Sequence, residues 1–351
     1  MKRVYAHYWY GGRPPKLRKT VPGLASGKRM NVDRVIQVEG LTKAYRDLLA
    51  VAAISFEVQE GELFGFLGPN GAGKTTTIRM LTGLARPTSG TARVLGFDIR
   101  AQAAQAKRHI GVAPEQSNLY DELSARDNLL FMGELFGVPR GERRRRAEEL
   151  LRMFRLEDRK NSHFATLSRG MKRALTIAAA MVHHPKLLFL DEPTLGLDVA
   201  AARSLRALIA GLHDQGVTVF LTTHYLEEAD LLCDRIAILV SGKIVRTGTP
   251  AELKRAAEGE SVIEVRFGKP VPEARDVFTS RLPDAQVVAM NGHELRILGG
   301  DPAQAYRVVF AFSEEKEVAI EAVNTVKPSL EDAFLKITDL SPVAMAQEKG
   351  K

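Results

Sequence analysis

The residues best placed to do chemistry lie in three short segments. The first is GPNGAGKT, residues 68–75, between an apolar run and a segment of helical character. Its spacing, G-x-x-x-x-G-K-[ST], is that of a phosphate-binding loop. Glycines there let successive backbone N–H groups turn inward, and the start of a helix adds a dipole favourable to an anion. Lys74 would reach the β- and γ-phosphates of a nucleoside triphosphate, and the Thr75 hydroxyl would ligate Mg²⁺. The plain alternative is a glycine-rich turn. A strand before it and a helix after it argue for the phosphate cradle.

The second segment is KLLFLDEP, which puts Asp191 at the end of an apolar strand and Glu192 directly after it. A carboxylate at the C-terminal edge of a sheet is where a phosphate-bound Mg²⁺ would lie. Glu192 points differently and could approach an attacking water. An Asp-Glu pair is a weak signal alone, since surface carboxylates are common. The third segment, TTHYLEEAD, ends a further strand at His224. That histidine either contacts a γ-phosphate or is simply solvated. The neighbouring His183 and His184 have no metal-ligand spacing around them and read as structural.

Positioning these groups needs an α/β sheet. VIQVEGLTKAY and ISFEVQEGELFGFLG read as strands, with a helix from about residue 73 to 84. KLLFLD and VTVFLTT are continuously apolar, as suits central parallel strands buried on both faces. Residues 101–160 read as helical and charged. Arg143, Arg144, Arg145 and Arg146 there are expected on a solvated helix face, because Glu148 and Glu149 follow one turn after Arg144 and Arg145. Residues 235–248 read as two strands about a Ser241-Gly242 turn. Beyond residue 260, VIEVRF, ELRIL and RVVFAF read as short strands, closed by a helix with a capping box from Ser329 to Asp332. These form a second, smaller α+β domain.

The chain has 351 residues, 50 Lys plus Arg against 42 Asp plus Glu, and 45% hydrophobic residues, which excludes wholesale disorder and fibrous architecture. No window approaches eighteen consecutive apolar residues, so no bilayer span is expected. The first residues lack an apolar signal region, and the single Cys233 fits a reducing compartment. The whole surplus of eight positive charges lies before Met30, on Lys2, Arg3, Arg13, Lys16, Arg18, Lys19, Lys28 and Arg29. Trp9, Tyr5, Tyr8 and Tyr10 are interleaved with them. Such a tail could meet nucleic acid or an anionic membrane surface, or be a disordered extension ahead of a start at Met30.

The order of the motifs is decisive for the family. The phosphate loop at 68–75, LSRGMKR at 167–173, FLDEP at 189–193, Asp198 in GLD, and His224 together resemble the ATP-binding cassette (ABC) ATPases of transporters over roughly residues 33–250. The resemblance implies a P-loop NTPase fold with a mixed, mostly parallel sheet and a helical subdomain at about 101–170. It implies ATP and Mg²⁺ as ligands. By position, Tyr45 matches the residue that stacks on adenine. Gly68, Pro69, Asn70, Gly71, Ala72, Gly73, Lys74, Thr75 and Thr76 match the phosphate loop. Asp191 matches the Mg²⁺-organising aspartate, Glu192 the general base and His224 the switch histidine. Asp198 matches the residue that communicates across a dimer, and Ser168 and Gly170 the signature that contacts the γ-phosphate held by an opposite subunit. One cradle and one signature per chain imply a homodimer, or a heterodimer with a similar cassette.

Two departures from the family pattern matter. The signature has Arg169 where a first glycine is usual, a form similar to the exporters of drugs, antibiotics and polysaccharides. In GVAPEQSNLYDEL, counting from Pro114 puts Glu115 in the metal-sensing position usually held by glutamine, with Gln116 able to slip into it. The ending SLEDAFLKIT is similar to the accessory domain of that exporter branch. The expected division is a basic extension over 1–30, the cassette over 31–255, an accessory domain over 256–342 and a tail over 343–351. The implied function is ATP hydrolysis driving a separate multi-span permease, from a peripheral position on the cytoplasmic face of the membrane. The rivals are a soluble cassette acting on nucleic acid or ribosomes and an ATP-binding scaffold without turnover. A single compact cassette argues against the former, and Glu192 with His224 against the latter.

Overall fold

The computed structural model describes residues 34–255 and 261–338. The basic extension and the C-terminal tail expected from the sequence lie outside the described residues. Contacts divide the chain into two compact units, one up to Ile244 and one from Val245. Residues 245–255 therefore group with the second unit, although the sequence places the division at 255/256.

The first unit begins with an antiparallel sheet made of β1 (Arg34–Tyr45), β2 (Leu48–Gln59), β4 (Ser89–Val94) and β5 (Phe97–Asp98), in the order β2-β1-β4-β5. Between β2 and β4 run β3 (Leu63–Leu67) and α1 (Lys74–Leu81). Then follow α2 (Ala103–Ala106), β6 (Ile110–Ala113), α3 (Ala125–Leu135), α4 (Arg140–Met153), α5 (Arg169–Ala180), β7 (Leu187–Asp191), α6 (Val199–Asp214), β8 (Thr218–Thr223), α7 (Leu226–Leu232), β9 (Arg235–Val240) and β10 (Lys243–Gly248). The second sheet has the order β10-β9-β3-β8-β7-β6, and β9, β3, β8, β7 and β6 pair in parallel. All residues of β3, β7 and β8 are buried, as the unbroken apolar runs demand.

One hydrophobic cluster joins the two sheets and α1. Val35, Ile36, Val38, Val51 and Val58 meet Phe64, Phe66, Phe189 and Phe220, with Ile78, Met80 and Leu81 of α1. The phenylalanines pack at 5.4–5.9 Å between ring centres. This core fixes α1 against the parallel sheet. The ends of β3, β7, β8 and β6 consequently open on the same edge, the edge where open α/β sheets hold ligands.

The second unit carries α8 (Pro250–Lys254), β11 (Val262–Phe267), α9 (Ala274–Arg281), β12 (Ala285–Asn291), β13 (Glu294–Gly299), α10 (Pro302–Glu315), β14 (Ile320–Val326) and α11 (Leu330–Thr338). Its antiparallel sheet has the order β12-β13-β11-β14. Phe267, Phe278 and Phe312 meet edge-on or tilted in its core, at 5.1–6.3 Å.

Four readings change. RVVFAF is not a strand but lies inside α10, where Asp301 accepts from the Ala303 N–H and Pro302 opens the helix. Residues 101–160 are not wholly helical, because β6 adds IGVA to the parallel sheet. The helix after the phosphate loop stops at Leu81. The arginine run of α4 is not all solvated. Arg146 is buried, pairs with Glu149 at 2.8 Å and donates to the Met181 carbonyl at 3.0 Å, while Glu148 pairs with Arg126 and Lys160. The capping box of α11 is present, with the Ser329 N–H on Asp332 at 2.7 Å and the Asp332 N–H on the Ser329 hydroxyl at 3.2 Å.

Candidate functional site

The phosphate-loop segment leaves β3 at Leu67 and enters α1 at Lys74. Gly71 and Gly73 have φ of 80° and 104°, a region costly for any residue with a Cβ. A Cβ on Gly68 would overlap the Leu239 carbonyl oxygen, and one on Gly73 the Ala50 carbonyl oxygen. No side chain caps α1, and its first turn holds no acid. Its leading N–H groups and dipole are therefore directed at the loop, as an anion requires. Ala72 is buried against the loop's base and its N–H bonds the Pro69 carbonyl at 3.2 Å. Asn70 and Thr76 are half-buried beside it.

Lys74, Asp191, Glu192 and His224 converge here. Lys74 is only 6% exposed. Its Nζ donates to the Gly68 and Pro69 carbonyls at 2.5 and 3.0 Å and pairs with Glu192 Oε1 at 3.0 Å. The Thr75 hydroxyl donates to Asp191 Oδ1 at 3.2 Å. His224 Nδ1 lies 2.8 Å from Glu192 Oε2, and the ring is 8% exposed. It is therefore not a solvated strand-end histidine. Burial pushes the Asp191 carboxyl up, against hydrogen bonds from Thr222 and Thr75 that pull it down. Burial also pushes Glu192 up, but the His224 bond and the Lys74 charge outweigh it, and its carboxyl is held below the usual value. The two adjacent acids therefore differ in proton affinity.

Their backbone differs too. Asp191 ends β7, but Glu192 has φ of 50°, a left-handed pose that costs a residue with a Cβ about 1–2 kcal/mol. In a continued strand the two side chains would face opposite sides of the sheet. The left-handed turn instead aims both at the same helix end, Asp191 at Thr75 and Glu192 at Lys74.

Two residues of this arrangement escape a reading from motifs. The buried Thr222 hydroxyl donates to Asp191 Oδ1 at 2.6 Å, and both its hydroxyl and its carbonyl accept from the Glu192 N–H at 3.1 and 3.0 Å. Arg173, one helical turn past Gly170, bonds the main chain around Asp191, Pro193, Pro114 and Glu115. The only sequence hint is that Thr222 opens the TTHYLEEAD segment and Arg173 closes LSRGMKR, and neither segment shows what these side chains bond. Of the two candidates in the loop after β6, Glu115 is half-buried and its charge acts on Asp191, whereas Gln116 is exposed.

The remaining motif residues stand apart from this cluster. Tyr45 is 42% exposed at the end of β1, with Lys43 Nζ 4.7 Å from its ring centre. Ser168 is exposed and caps α5 by accepting from the Met171 N–H at 3.3 Å. Asp198 is exposed and caps α6 by accepting from the Ala201 N–H at 2.8 Å. Gly170 lies so close to Ala201 that a Cβ there would come within 2.9 Å of the alanine methyl, which seats the signature against the first turn of α6.

His183 is structural: it stacks on Phe136 at 3.9 Å, its Nε2 meets the Ile110 carbonyl at 3.0 Å, and burial pushes it down to about 4. Cys233 is buried against Gly65 of β3, and burial pushes its thiol up.

A phosphate cradle at the C-terminal edge of a parallel sheet, with a carboxylate facing the cradle threonine, defines a P-loop nucleotide-binding protein. A sequence profile of the ABC transporter family matches residues 51–195. The linearmycin resistance ATP-binding protein LnrL of Bacillus subtilis is 37% identical over 309 residues, covering 87% of this chain and 98% of its own. A Nod factor export ATP-binding protein I of Cupriavidus metallidurans is 38% identical over 304 residues, covering 87% and 97%. A dimeric ATP-binding cassette in a post-hydrolysis state, bound to ADP and Pi, superposes with a TM-score of 0.56 at 27% identity, over 61% of this chain and 98% of that one. This chain belongs to the ABC transporter family of ATP-binding proteins, and it is an ATPase.

Proposed function

We propose that the protein is the ATP-hydrolysing subunit of an ABC exporter, and that two cassettes close over ATP to drive a separately encoded membrane permease. The observation that carries this is the joining of Lys74, Glu192 and His224 within hydrogen-bond distance at the mouth of the phosphate loop. The relatives named for linearmycin resistance and Nod factor export support the direction of transport. They also favour a transport motor over a cassette serving nucleic acid or ribosomes. No helix among the described residues is long and apolar enough to cross a membrane, and on this reading the membrane path belongs to the separate permease. The chain would then sit peripherally at the cytoplasmic face, beside that permease. The accessory domain would span 256–342 and the cassette 31–255.

The donor set fits Mg·ATP. Hard oxygens of Thr75 and Asp191 stand 3.2 Å apart beside the cradle, with Glu115 near enough to act on Asp191; these would hold Mg²⁺. When bound, Mg·ATP supplies the phosphoryl group to be transferred and the metal charge that offsets its oxygens. Lys74 exchanges loop carbonyls for phosphate oxygens. In doing so it withdraws a cation from Glu192, whose carboxylate becomes the better proton acceptor for an attacking water. His224 Nδ1 keeps Glu192 Oε2 in place. Tyr45 stacks on the adenine ring, and Ser168 and Gly170 complete the site of an opposing copy, with Asp198 at the same face.

Glu192→Gln tests this reading. Phosphate release should fall about 10²–10⁴-fold, the range a general base contributes, while ATP still binds and a dimer accumulates on gel filtration. Undiminished turnover would remove Glu192 from the role of base. Co-purification of a multi-span protein from membranes tests the partner, and recovery of ribosomes or DNA instead would overturn it.

A further inference from the structure

Arg173 sits on α5, five residues after the signature serine, and is 8% exposed. Its guanidinium meets no side-chain oxygen at hydrogen-bond distance among the contacts described; its acceptors are four main-chain carbonyls. Nε donates to Pro193 O at 2.9 Å and Nη2 to Asp191 O at 2.6 Å. Nη1 donates to Pro114 O and, at 3.3 Å, to Glu115 O. The first pair flanks Glu192 on both sides, so the fork spans the one left-handed turn at the strand end. The second pair belongs to the loop that offers Glu115 to the metal. Burial pushes the guanidinium down to about 10, and the charges of Asp191, Glu228, Glu115 and Glu192 oppose that; it is a cation at neutral pH.

Bonds of a buried cation to carbonyls are strong, and their planar fork fixes direction as well as distance. A left-handed turn at a non-glycine residue persists only where its surroundings over-determine it. Thr222 holds the Glu192 N–H, and Arg173 holds the carbonyls before and after it. We infer that Arg173 is a positioning residue that locks the Glu192 turn and the 114–115 loop into one piece and ties that piece to the signature helix. It acts through Glu192 and Glu115. Any shift of α5 relative to the strand end must then move the base and the metal-facing loop together. The inference rests on the proposed roles of Glu192 and Glu115 for its effect on turnover, but not for its effect on the backbone.

Hydrogen exchange on the full chain without nucleotide, comparing wild type with Arg173→Lys and Arg173→Met, tests it. An ammonium has the charge but not the fork and cannot reach both segments. Peptides covering 110–118 and 190–194 should exchange about tenfold faster or more in both variants, with residues 68–81 unchanged. Binding of a fluorescent ATP analogue in EDTA should stay within about twofold of wild type. Phosphate release at saturating Mg·ATP should fall about tenfold to a hundredfold, the scale of a 1 Å misplacement, and half-saturation by Mg²⁺ should rise. Protection retained at 110–118 and 190–194 in Arg173→Met would overturn the inference. So would full recovery by Arg173→Lys, which would make charge alone the agent. Acceleration spread evenly over the chain with a collapsed melting transition would assign Arg173 to general packing instead. If wild type itself releases no phosphate, the proposed function fails, and the exchange pattern still decides the part played by Arg173.

Discussion

The candidate site has two halves of opposite character. Lys74, Asp191, Glu192 and His224 are each at most 8% exposed and bonded to one another or to the loop that holds them. Tyr45, Ser168 and Asp198 are exposed, and the two caps among them spend their oxygens on helix N–H groups. The buried half is preorganised by a single chain. The open half has surface to offer an adenine ring or a second cassette. The difference teaches where affinity and turnover should separate: damage to the buried half acts within one chain, and damage to the open half acts only on assembly or on the base.

The sharpest way to break that contrast is Lys74→Ala. It removes the phosphate ligand and strands Glu192 as a buried carboxylate, a truncation that costs about 2–5 kcal/mol in buried charge pairs. ATP affinity measured by equilibrium dialysis should fall about a hundredfold, and tight binding by the variant would refute the cradle assignment. A smaller effect is expected of Ser168→Ala. Losing its cap costs α5 about 1 kcal/mol, visible as a lower denaturation midpoint. ATP affinity of the dilute chain should be unchanged, while phosphate release at high protein concentration drops about tenfold. An equal loss of affinity in the dilute chain would place the signature in the same chain's site. The smallest is Tyr45→Ala, which should raise the KM for ATP about fivefold, at the low end of aromatic–base stacking, with Tyr45→Phe near wild type. A KM indifferent to both changes would move adenine elsewhere.

The buried half was largely legible in the sequence, because each of its members sits in a short motif whose spacing is itself the chemistry. The neighbours that hold it were not. Thr222 and Arg173 act on backbone groups brought together by strand order: Thr222 from β8 beside β7, Arg173 from α5 onto two separate loops. No local pattern encodes a carbonyl as a partner. In the second unit, RVVFAF is rich in β-branched and aromatic residues, as a short strand would be, yet its segment is helical. Ala305, Val309 and Phe312 are buried at helical spacing, and the Asp301-Pro302 pair is a helix-start signal that the apolar run overshadowed. The buried face is set by tertiary packing, which overrode the local pattern. IGVA was hidden for a related reason. Four residues within a charged stretch carry too little periodicity to mark a strand until β7 lies beside them.

The left-handed φ of Glu192 has a consequence for how this position can vary. Glycine would adopt that backbone with no steric penalty, a relief of about 1–2 kcal/mol. The same change would leave the buried Lys74 and His224 without their carboxylate partner, and breaking a buried pair costs about 3–5 kcal/mol. The carboxylate at residue 192 is therefore held by both the ion pair it completes and the chemistry it performs, and the backbone strain is the smaller, offset cost.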